Sequence, residues 1–393
     1  MSETKAAGQA TTKNIPQMQT RYDVHLWEPE LSPHKLPLFQ ALLGHPRIAS
    51  ATYIAEGELN HHRTLQGWQV DVGQQLPIII APTAAQVDSI IERSPPNSVH
   101  IFSGMHWVPC IVNGIQAAIR HRRRFGILHE PRVFEGLGGL ARLGHSWLTE
   151  AALRRNASFI LAIGAHGPSW FQMSGFPKSR IFPFAYFLSN RAASEASFKI
   201  MKTQRPVVSF LGRLEKLKGI HLFLDSMDKI ESEADFYVAG YGSWSSRVED
   251  ARRSHPNLHH LGAIKMEEVP YLLVNTDILV LPSITMDDGW GAVISEGLMA
   301  GAAIVCSYKV GASMCLADSK RGQVVGRLAG AEVAKAVDRI INEGLLDVRY
   351  REARAQWADT HLTHRVGLDY LLDIFDHVFD GKARPRSFVA EHD

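Results

Sequence analysis

The sequence predicts an α/β protein built from two series of parallel βαβ units. Short apolar runs rich in β-branched residues, such as Val207–Leu211 and Ile278–Leu281, alternate with longer segments of helical character, a pattern that indicates parallel strands joined by helices. The length of 393 residues exceeds what one hydrophobic core usually serves. A Ser-, Ala- and Asn-rich stretch at 184–205 interrupts the alternation and predicts the linker between two domains.

The individual elements follow from apolar runs and from the glycines and prolines that end them. In the first domain we predict strands at 24–27, 47–54, 76–81, 98–102, 125–129 and 159–163. The helices between them are expected at 37–43, 83–93, 108–124 and 138–156, with Thr83 as a helix cap. In the second domain we predict strands at 207–211, 235–239, 258–261, 278–281 and 303–306, and helices at 292–300, 330–343, 348–360 and 364–379.

Net charge, cysteine content and the composition of the N-terminal residues limit the possible functions and the cellular compartment. The net charge of +2 argues against a bulk nucleic-acid binder. Cys110, Cys306 and Cys315 are odd in number and lack metal or redox spacing, so a reducing cytoplasm is the expected compartment. Residues 1–20 are polar, without the apolar core of a signal peptide, and are expected to form a disordered tail.

Two acids, Asp288 and Glu296, flank a predicted junction of strand, loop and helix. Gly289, Ala292 and Glu296 lie at three- and four-residue steps, hence on one helical face. Small residues beside an acid allow a ligand to approach the backbone, the first helical amides attract phosphate, and a carboxylate one turn later can accept hydrogen bonds from two ribose hydroxyls. The alternative is a helix capped by Asp288 with a solvated Glu296.

A second constellation follows the strand that ends at Leu211. Arg213 and Lys218 lie in one loop between Gly212 and Gly219, at the carboxyl edge of a parallel sheet, where ligands of α/β proteins bind. Arginine offers a planar fork for phosphate and lysine a compact charge. The alternative makes both cations surface charges that pair with Glu215. Two glycines after the next strand, Gly240 and Gly242, could admit a nucleobase or form a plain turn.

The order of these motifs resembles the donor half of the retaining GT-B glycosyltransferases of glycosyl transferase group 1, also called family 4. The motifs that carry the resemblance are Gly212-Arg-Leu with Lys218-Gly219, Gly240-Tyr-Gly242, and two acids separated by seven residues, of which the first is Asp288 where the family has Glu. The resemblance implies two Rossmann-like domains facing each other across a cleft and a C-terminal helix that crosses back onto the first. We therefore expect an acceptor domain at 21–190, a donor domain at 191–363 and the returning helix in 364–393.

The resemblance also implies roles for individual residues. We expect Arg213, Lys218, Asp288 and His129 to be catalytic, with Glu130 as the rival of His129 at the same strand end; a structural His129 is the alternative. Residues expected to bind the donor are Gly212, Gly240, Gly242, Gly289, Trp290, Gly291 and Glu296, and Glu130 and Gly104 are expected on the acceptor side.

The function expected from these residues is retaining transfer of a sugar from a nucleotide diphosphate sugar to an acceptor hydroxyl, without a cofactor. No Asp-x-Asp occurs in the sequence, so cationic side chains are expected to replace a divalent metal. Gly289-Trp-Gly291 resembles members that build bacterial surface polysaccharides, which implies a lipid-linked glycan as acceptor. Arg120–Arg124 are candidates for contact with anionic lipid at the inner face of the membrane, or form a solvated helix end. A sugar-nucleotide epimerase, a phosphorylase and a non-catalytic partner subunit remain alternatives.

Overall fold

Two parallel sheets form the framework of the protein. A computed structural model describes residues 20–59, 76–193, 195–201, 203–286 and 289–390; the expected tail, most of 56–75 and Asp288 lie outside these ranges. The first sheet has the strand order β3-β2-β1-β4-β5-β6-β7 and the second β10-β9-β8-β11-β12-β13, which confirms the α/β class. The strands are β1 Tyr22–Glu28, β2 Ile48–Ala55, β3 Ile78–Ile80, β4 Val99–Ser103, β5 Arg124–His129, β6 Phe159–Ile163, β7 Ile181–Phe184, β8 Val207–Leu211, β9 Asp235–Ala239, β10 Leu258–Gly262, β11 Ile278–Leu281, β12 Ala303–Ser307 and β13 Gly322–Val325.

Helices connect the strands and cover both sheets. They are α1 Leu36–Gly44, α2 Ala84–Arg93, α3 Pro109–Arg120, α4 Gly136–Thr149, α5 Ala151–Asn156, α6 Gly167–Met173, α7 Ile220–Met227, α8 Ser245–Ser254, α9 Val269–Val274, α10 Ala292–Met299, α11 Gly330–Asn342, α12 Val348–His361 and α13 His364–Asp380. Thr83 caps α2 in a reciprocal bond with Gln86, as the sequence predicts. Across the described residues, no helix has both the length and the apolar character needed to cross a membrane.

The structure departs from the predicted elements in a few places. The helix predicted at 108–124 ends at Arg120, because the chain turns through a left-handed Arg122 before β5 begins. The stretch 138–156, predicted to be mostly helix, is helical as α4 and α5 with a break at Glu150, whose carboxylate is held by other parts of the first domain. The short α6, which contains glycine and proline, and the edge strand β13, which begins at Gly322, lack a clear apolar period and were not predicted.

The last helix, α13, leaves the second domain and packs on the first, as the resemblance implies. Asp376 of α13 forms an ion pair with Arg47 at the start of β2, and the Tyr22 hydroxyl donates to Asp380 over 3.0 Å. Phe375 of α13 packs against the Phe159 ring with centroids 5.6 Å apart. The apolar cluster that contains these side chains continues into the second sheet, so one core joins both domains.

Candidate active site

A cleft of about 780 Å³ separates the two sheets at the carboxyl ends of their strands. The residues that end β1, β4 and β5 line one wall and those that follow β8, β9 and β11 line the other. Both the position and the volume are typical of ligand sites in α/β proteins. The backbones of the two domains meet outside the cleft lining, where the Ala165 amide of the first domain donates to the Gly311 carbonyl of the second over 2.9 Å.

Arg213 and Lys218 both line the second-domain wall. Arg213 follows β8 directly and is exposed, and Lys218 ends a short 3-10 turn that runs from Lys216. The Glu215 carboxylate accepts hydrogen bonds from the Ser243 amide, at 2.9 Å, and from the Ser243 hydroxyl, at 2.5 Å. These bonds, more than the nearby charge of Arg213, lower the pKa of Glu215. Glu215 therefore ties its loop to the loop after β9 instead of occupying the two cations.

The glycines after β8 and β9 permit a close approach of two backbone segments. A Cβ on Gly240 would lie 1.9 Å from the carbonyl oxygen of Gly212, and both glycines have positive φ. Gly212 and Gly240 line the cleft, as does the exposed Tyr241. Gly242 does not line it: its backbone packs against Leu214 and Glu215.

The amino end of α10 forms the wall beside these loops. Gly291, in a left-handed conformation with φ of 80°, precedes the helix and has no side chain with which to cap the amides that follow. Gly291, Ala292 and Val293 all line the cleft, so the amide end of the helix, where the dipole is positive, faces it.

The prediction that Trp290 binds the donor is not supported. Its indole is fully buried, donates to the Ser295 hydroxyl over 2.9 Å and packs near Phe388. Trp290 thus fixes the loop in place and has no surface in the cleft.

Glu296 lies on the cleft wall one turn into α10, and its carboxylate is engaged by Arg191. The Arg191 guanidinium donates to Glu296 over 2.7 Å and also reaches the Met266 carbonyl, at 3.3 Å. Burial raises the pKa of Glu296, and the charge and hydrogen bond of Arg191 act against that increase. Arg191 belongs to the interdomain linker and gave no signal in the sequence, because its partner lies 105 positions away.

His129 ends β5 and lines the first-domain wall. Its Nδ1 donates to the Glu130 carbonyl, which can only accept. Burial lowers the pKa of His129, so the ring is neutral at neutral pH and its Nε2 is an acceptor.

Glu130 reaches across the cleft mouth toward the second domain. Its Oε1 accepts a hydrogen bond of 2.6 Å from the Tyr186 hydroxyl. A Cβ on Gly289, which has a φ of 54°, would overlap the Glu130 carboxylate. Gly289 therefore contacts a first-domain acid, which explains why a glycine is needed at this position, although it does not line the cleft.

A polar network missed by sequence reasoning continues the first-domain wall. The Lys35 ammonium lies 3.1 Å from Glu28 and 3.2 Å from the Ser103 hydroxyl, which itself donates to Glu28 over 2.6 Å. The same ammonium lies 5.0 Å from the Tyr186 ring centre. Gly104, predicted on the acceptor side, follows Ser103 and lines the cleft. The rule that ligands bind at carboxyl ends of strands could have found Glu28 and Ser103, which end β1 and β4.

Arg120–Arg124 lie at the opposite edge of the first sheet, where β5 begins. Arg120 and His121 pair with Asp88, Arg123 donates to carbonyls in the last turn of α2, and the Arg124 guanidinium lies 4.6 Å from the Phe379 ring centre. Most of this basic group is therefore engaged by the protein itself. Within the described residues, no group of three or more His, Cys, Asp or Glu side chains is arranged to hold a metal ion.

The family model described as "Glycosyl transferases group 1" matches residues 193–357. Alpha-D-kanosaminyltransferase of Streptomyces kanamyceticus is 23% identical over 250 residues, which cover 60% of this chain and 63% of that protein. Spore coat protein SA of Bacillus subtilis is 26% identical over 147 residues, which cover 34% of this chain and 39% of that protein. Each alignment spans less than two thirds of the relative.

Solved structures of the same fold cover nearly the whole chain. The Anabaena protein HepE, solved with UDP and glucose, superposes with a TM-score of 0.65 at 12% identity, over 91% of this chain and all of that chain. The lipopolysaccharide outer core galactosyltransferase WaaB superposes with a TM-score of 0.64 at 13% identity, over 92% of this chain and all of that one.

Proposed function

Residues 193–357 belong to the group 1 glycosyltransferases and the chain has the GT-B fold, and on this premise we propose that the protein transfers a sugar from a nucleotide diphosphate sugar to an acceptor hydroxyl. The observation that carries the proposal is the second-domain wall, where Arg213, Lys218, the open start of α10 and Glu296 line one cleft. Two cations and a positive helix end suit a diphosphate, and the carboxylate suits ribose hydroxyls.

The chemistry follows from this arrangement. The bond between the sugar and the diphosphate breaks, the acceptor oxygen bonds to the anomeric carbon, and the proton of the acceptor hydroxyl passes to the departing diphosphate. On the way, negative charge grows on the leaving oxygen and positive charge on the sugar. Arg213 and Lys218 stabilise the first charge from positions fixed before the reaction. On the opposite wall, Glu130 and the neutral His129 face the place of the sugar and the acceptor. Retention of the anomeric configuration and independence of metal are part of the proposal and rest on the family resemblance.

The acceptor we propose is a lipid-linked glycan that enters along the first-domain wall. That wall supplies both hydrogen-bond acceptors and donors, through Glu28, Ser103, Lys35 and Tyr186. Such a mixture suits the hydroxyls of a sugar. The likeness to WaaB, a galactosyltransferase of the lipopolysaccharide outer core, supports a surface glycan as the class of acceptor.

A thermal-shift screen of the full chain with UDP, GDP, ADP and TDP tests the donor class, because a ligand that binds the native state raises the melting temperature. We expect one nucleotide to raise the melting temperature, and UDP is tested first because HepE was solved with it.

In a second experiment, the matching nucleotide sugar is incubated with the protein, with and without a polyprenyl-diphosphate-linked sugar. We expect release of nucleoside diphosphate that depends on the acceptor and persists in excess EDTA. An epimerase would convert the donor without an acceptor, and a non-catalytic subunit would show no turnover.

A further inference from the structure

One surface of the first domain is apolar and exposed. It consists of Trp107, Leu137, Leu140, Trp147 and Leu148, and we call it the α4 face after the helix that supplies most of it. Trp107, Leu137 and Leu148 are 94%, 86% and 85% exposed. Single exposed apolar side chains are common on protein surfaces. A contiguous group of them marks an interaction surface.

Spacing along the helix makes most of the α4 face continuous, because Leu140 lies three residues after Leu137 and seven or eight before Trp147 and Leu148, on one side of the helix. His106, which precedes Trp107, lies 3.0 Å from the Glu150 carboxylate and packs its ring 6.3 Å from that of His145 on α4. The Trp147 indole donates to the Met173 carbonyl over 2.9 Å. Trp107 and Trp147 thus flank the carboxyl end of α4.

The helix itself receives little support from the rest of the protein. Of its 14 residues only Gly139 and Ser146 are buried, and four are glycines. Glycine lowers helix stability, and most helices in proteins depend on packing of an apolar face. The apolar side of α4 has no such cover within the described chain, so a second surface would complete it.

The charges around the α4 face indicate which kind of surface would cover it. Across residues 136–156 the exposed charged side chains, Arg142 and Arg155, are basic. The Arg154 guanidinium lies 5.0 Å from the Trp147 ring centre. The acid of this stretch, Glu150, is buried and paired with His106 and Arg132. Glu135, the exposed acid directly before the helix, is paired with Lys309. Exposed leucine and tryptophan combined with arginine are typical of helices that lie in the interface of an anionic bilayer.

We infer that the α4 face docks the protein on a membrane that contains anionic phospholipid. The helix begins seven residues after His129, at the cleft edge of the first sheet, whereas Arg120–Arg124 lie at the opposite edge. Docking through α4 therefore brings the bilayer to the domain that carries the proposed acceptor wall. The docking is argued from the surface alone; its use, delivery of a lipid-linked acceptor to the first-domain wall, rests on the proposed function.

Sedimentation of the full chain with vesicles tests the inference. The vesicles contain either equal parts of phosphatidylglycerol and phosphatidylcholine or phosphatidylcholine alone. The variants are Leu137→Ser combined with Leu148→Ser, Arg142→Glu, and Val348→Ser as the matched control, since Val348 is an exposed apolar side chain on a helix of the second domain. Melting temperature and nucleotide-induced shift are measured on each sample. Trp107→Ser, in a loop, replaces the double variant if that one does not fold.

We expect the wild type to bind the anionic vesicles at least about tenfold more tightly than the neutral ones. The double variant should lose about tenfold or more of this binding, Arg142→Glu should weaken it, and Val348→Ser should match the wild type. The inference is overturned if the wild type does not sediment at low salt, or if the double variant binds equally well. It is also overturned if light scattering shows a dimer that the double variant dissociates. Vesicle binding without any nucleotide-induced shift would instead count against the proposed function alone.

Discussion

The Arg191 guanidinium donates a hydrogen bond of 2.7 Å to the Glu296 carboxylate, which connects the interdomain linker to the helix at the donor side of the cleft. The Arg191 side chain is 35% exposed and the Glu296 side chain is 16% exposed. The pair therefore stands at the edge of the cleft, where a nucleotide would cover it. The charge and hydrogen bond of Arg191 oppose the rise in the pKa of Glu296 that burial causes, and so favour the ionised carboxylate that accepts hydrogen bonds.

Glu296→Gln is expected to weaken nucleoside diphosphate binding by about 1 to 3 kcal/mol, the scale of hydrogen bonds to a charged group. Titration calorimetry measures this loss. A 2′-deoxyribose diphosphate should bind the wild type less tightly than the ribose form, and the variant should discriminate less between them. Because burial raises the pKa of Glu296, ionisation costs folding free energy at neutral pH. The unliganded variant should therefore melt no lower than the wild type. Equal affinity of both proteins for both nucleotides would remove Glu296 from the site.

Arg191→Ala is expected to make nucleotide binding more sensitive to acid. Only the ionised Glu296 accepts hydrogen bonds from both ribose hydroxyls, so nucleotide affinity should fall as the pH drops through its raised pKa. Arg191 lowers that pKa, so the Arg191→Ala variant has a higher pKa at Glu296 and should lose affinity at a higher pH. Arg191→Lys should move it less. Arg205→Ala, in the same linker but paired with the exposed Glu233, is the control. Identical pH profiles for Arg191→Ala and Arg205→Ala would contradict the role given to the pair.

Glu130→Gln is expected to lower kcat by about two to three orders of magnitude, the cost of losing one preorganised electrostatic contact. Nucleoside diphosphate affinity should stay within about twofold, because Glu130 lies on the opposite wall. Tyr186→Phe, which removes the 2.6 Å hydrogen bond to Glu130 but keeps the carboxylate, should have a smaller effect. A normal kcat in Glu130→Gln together with a large loss in His129→Ala would transfer the role to His129.

Arg47→Ala is expected to destabilise the chain by about 3 kcal/mol, because it leaves the buried Asp376 of α13 without its main partner. Arg253→Ala is the matched control, since Arg253 and Asp250 are 76% and 62% exposed; it should cost well under about 1 kcal/mol. Thermal unfolding measures both. Equal melting temperatures would show that the ion pair does not hold α13 on the first domain.

Much of the fold was predictable because it depends on local pattern. Strands such as Val207–Leu211 and Asp235–Ala239 have the predicted bounds, since a parallel strand covered on both faces is an uninterrupted apolar run. The break at Glu150 was not predictable, because it depends on His106 and Arg132 from other segments.

The site residues also divide into those that local sequence patterns predict and those that depend on distant parts of the chain. Arg213, Lys218 and Glu296 were found because each follows a strand or begins a helix at a recognisable spacing, and the structure brings them to one wall. Arg191 and Tyr186 come from the irregular linker, where no period or motif marks a functional side chain. Trp290 shows the converse: its place between two glycines suggested a ligand contact, but a large apolar ring in a well-packed loop belongs to the core.

The measurement that tests the account most directly is kcat and donor KM of Arg213→Ala and Lys218→Ala, with melting temperatures of the same samples. If the two cations hold the departing diphosphate, their charge matters more in the transition state than in the ground state. Each variant should then lose about two to three orders of magnitude in kcat, or about 3 to 4 kcal/mol, with a much smaller change in KM. Arg213→Lys should recover only part of the loss, because the planar fork is missing. Normal kcat in both alanine variants, at unchanged melting temperature, would contradict the diphosphate site and with it the proposed transferase.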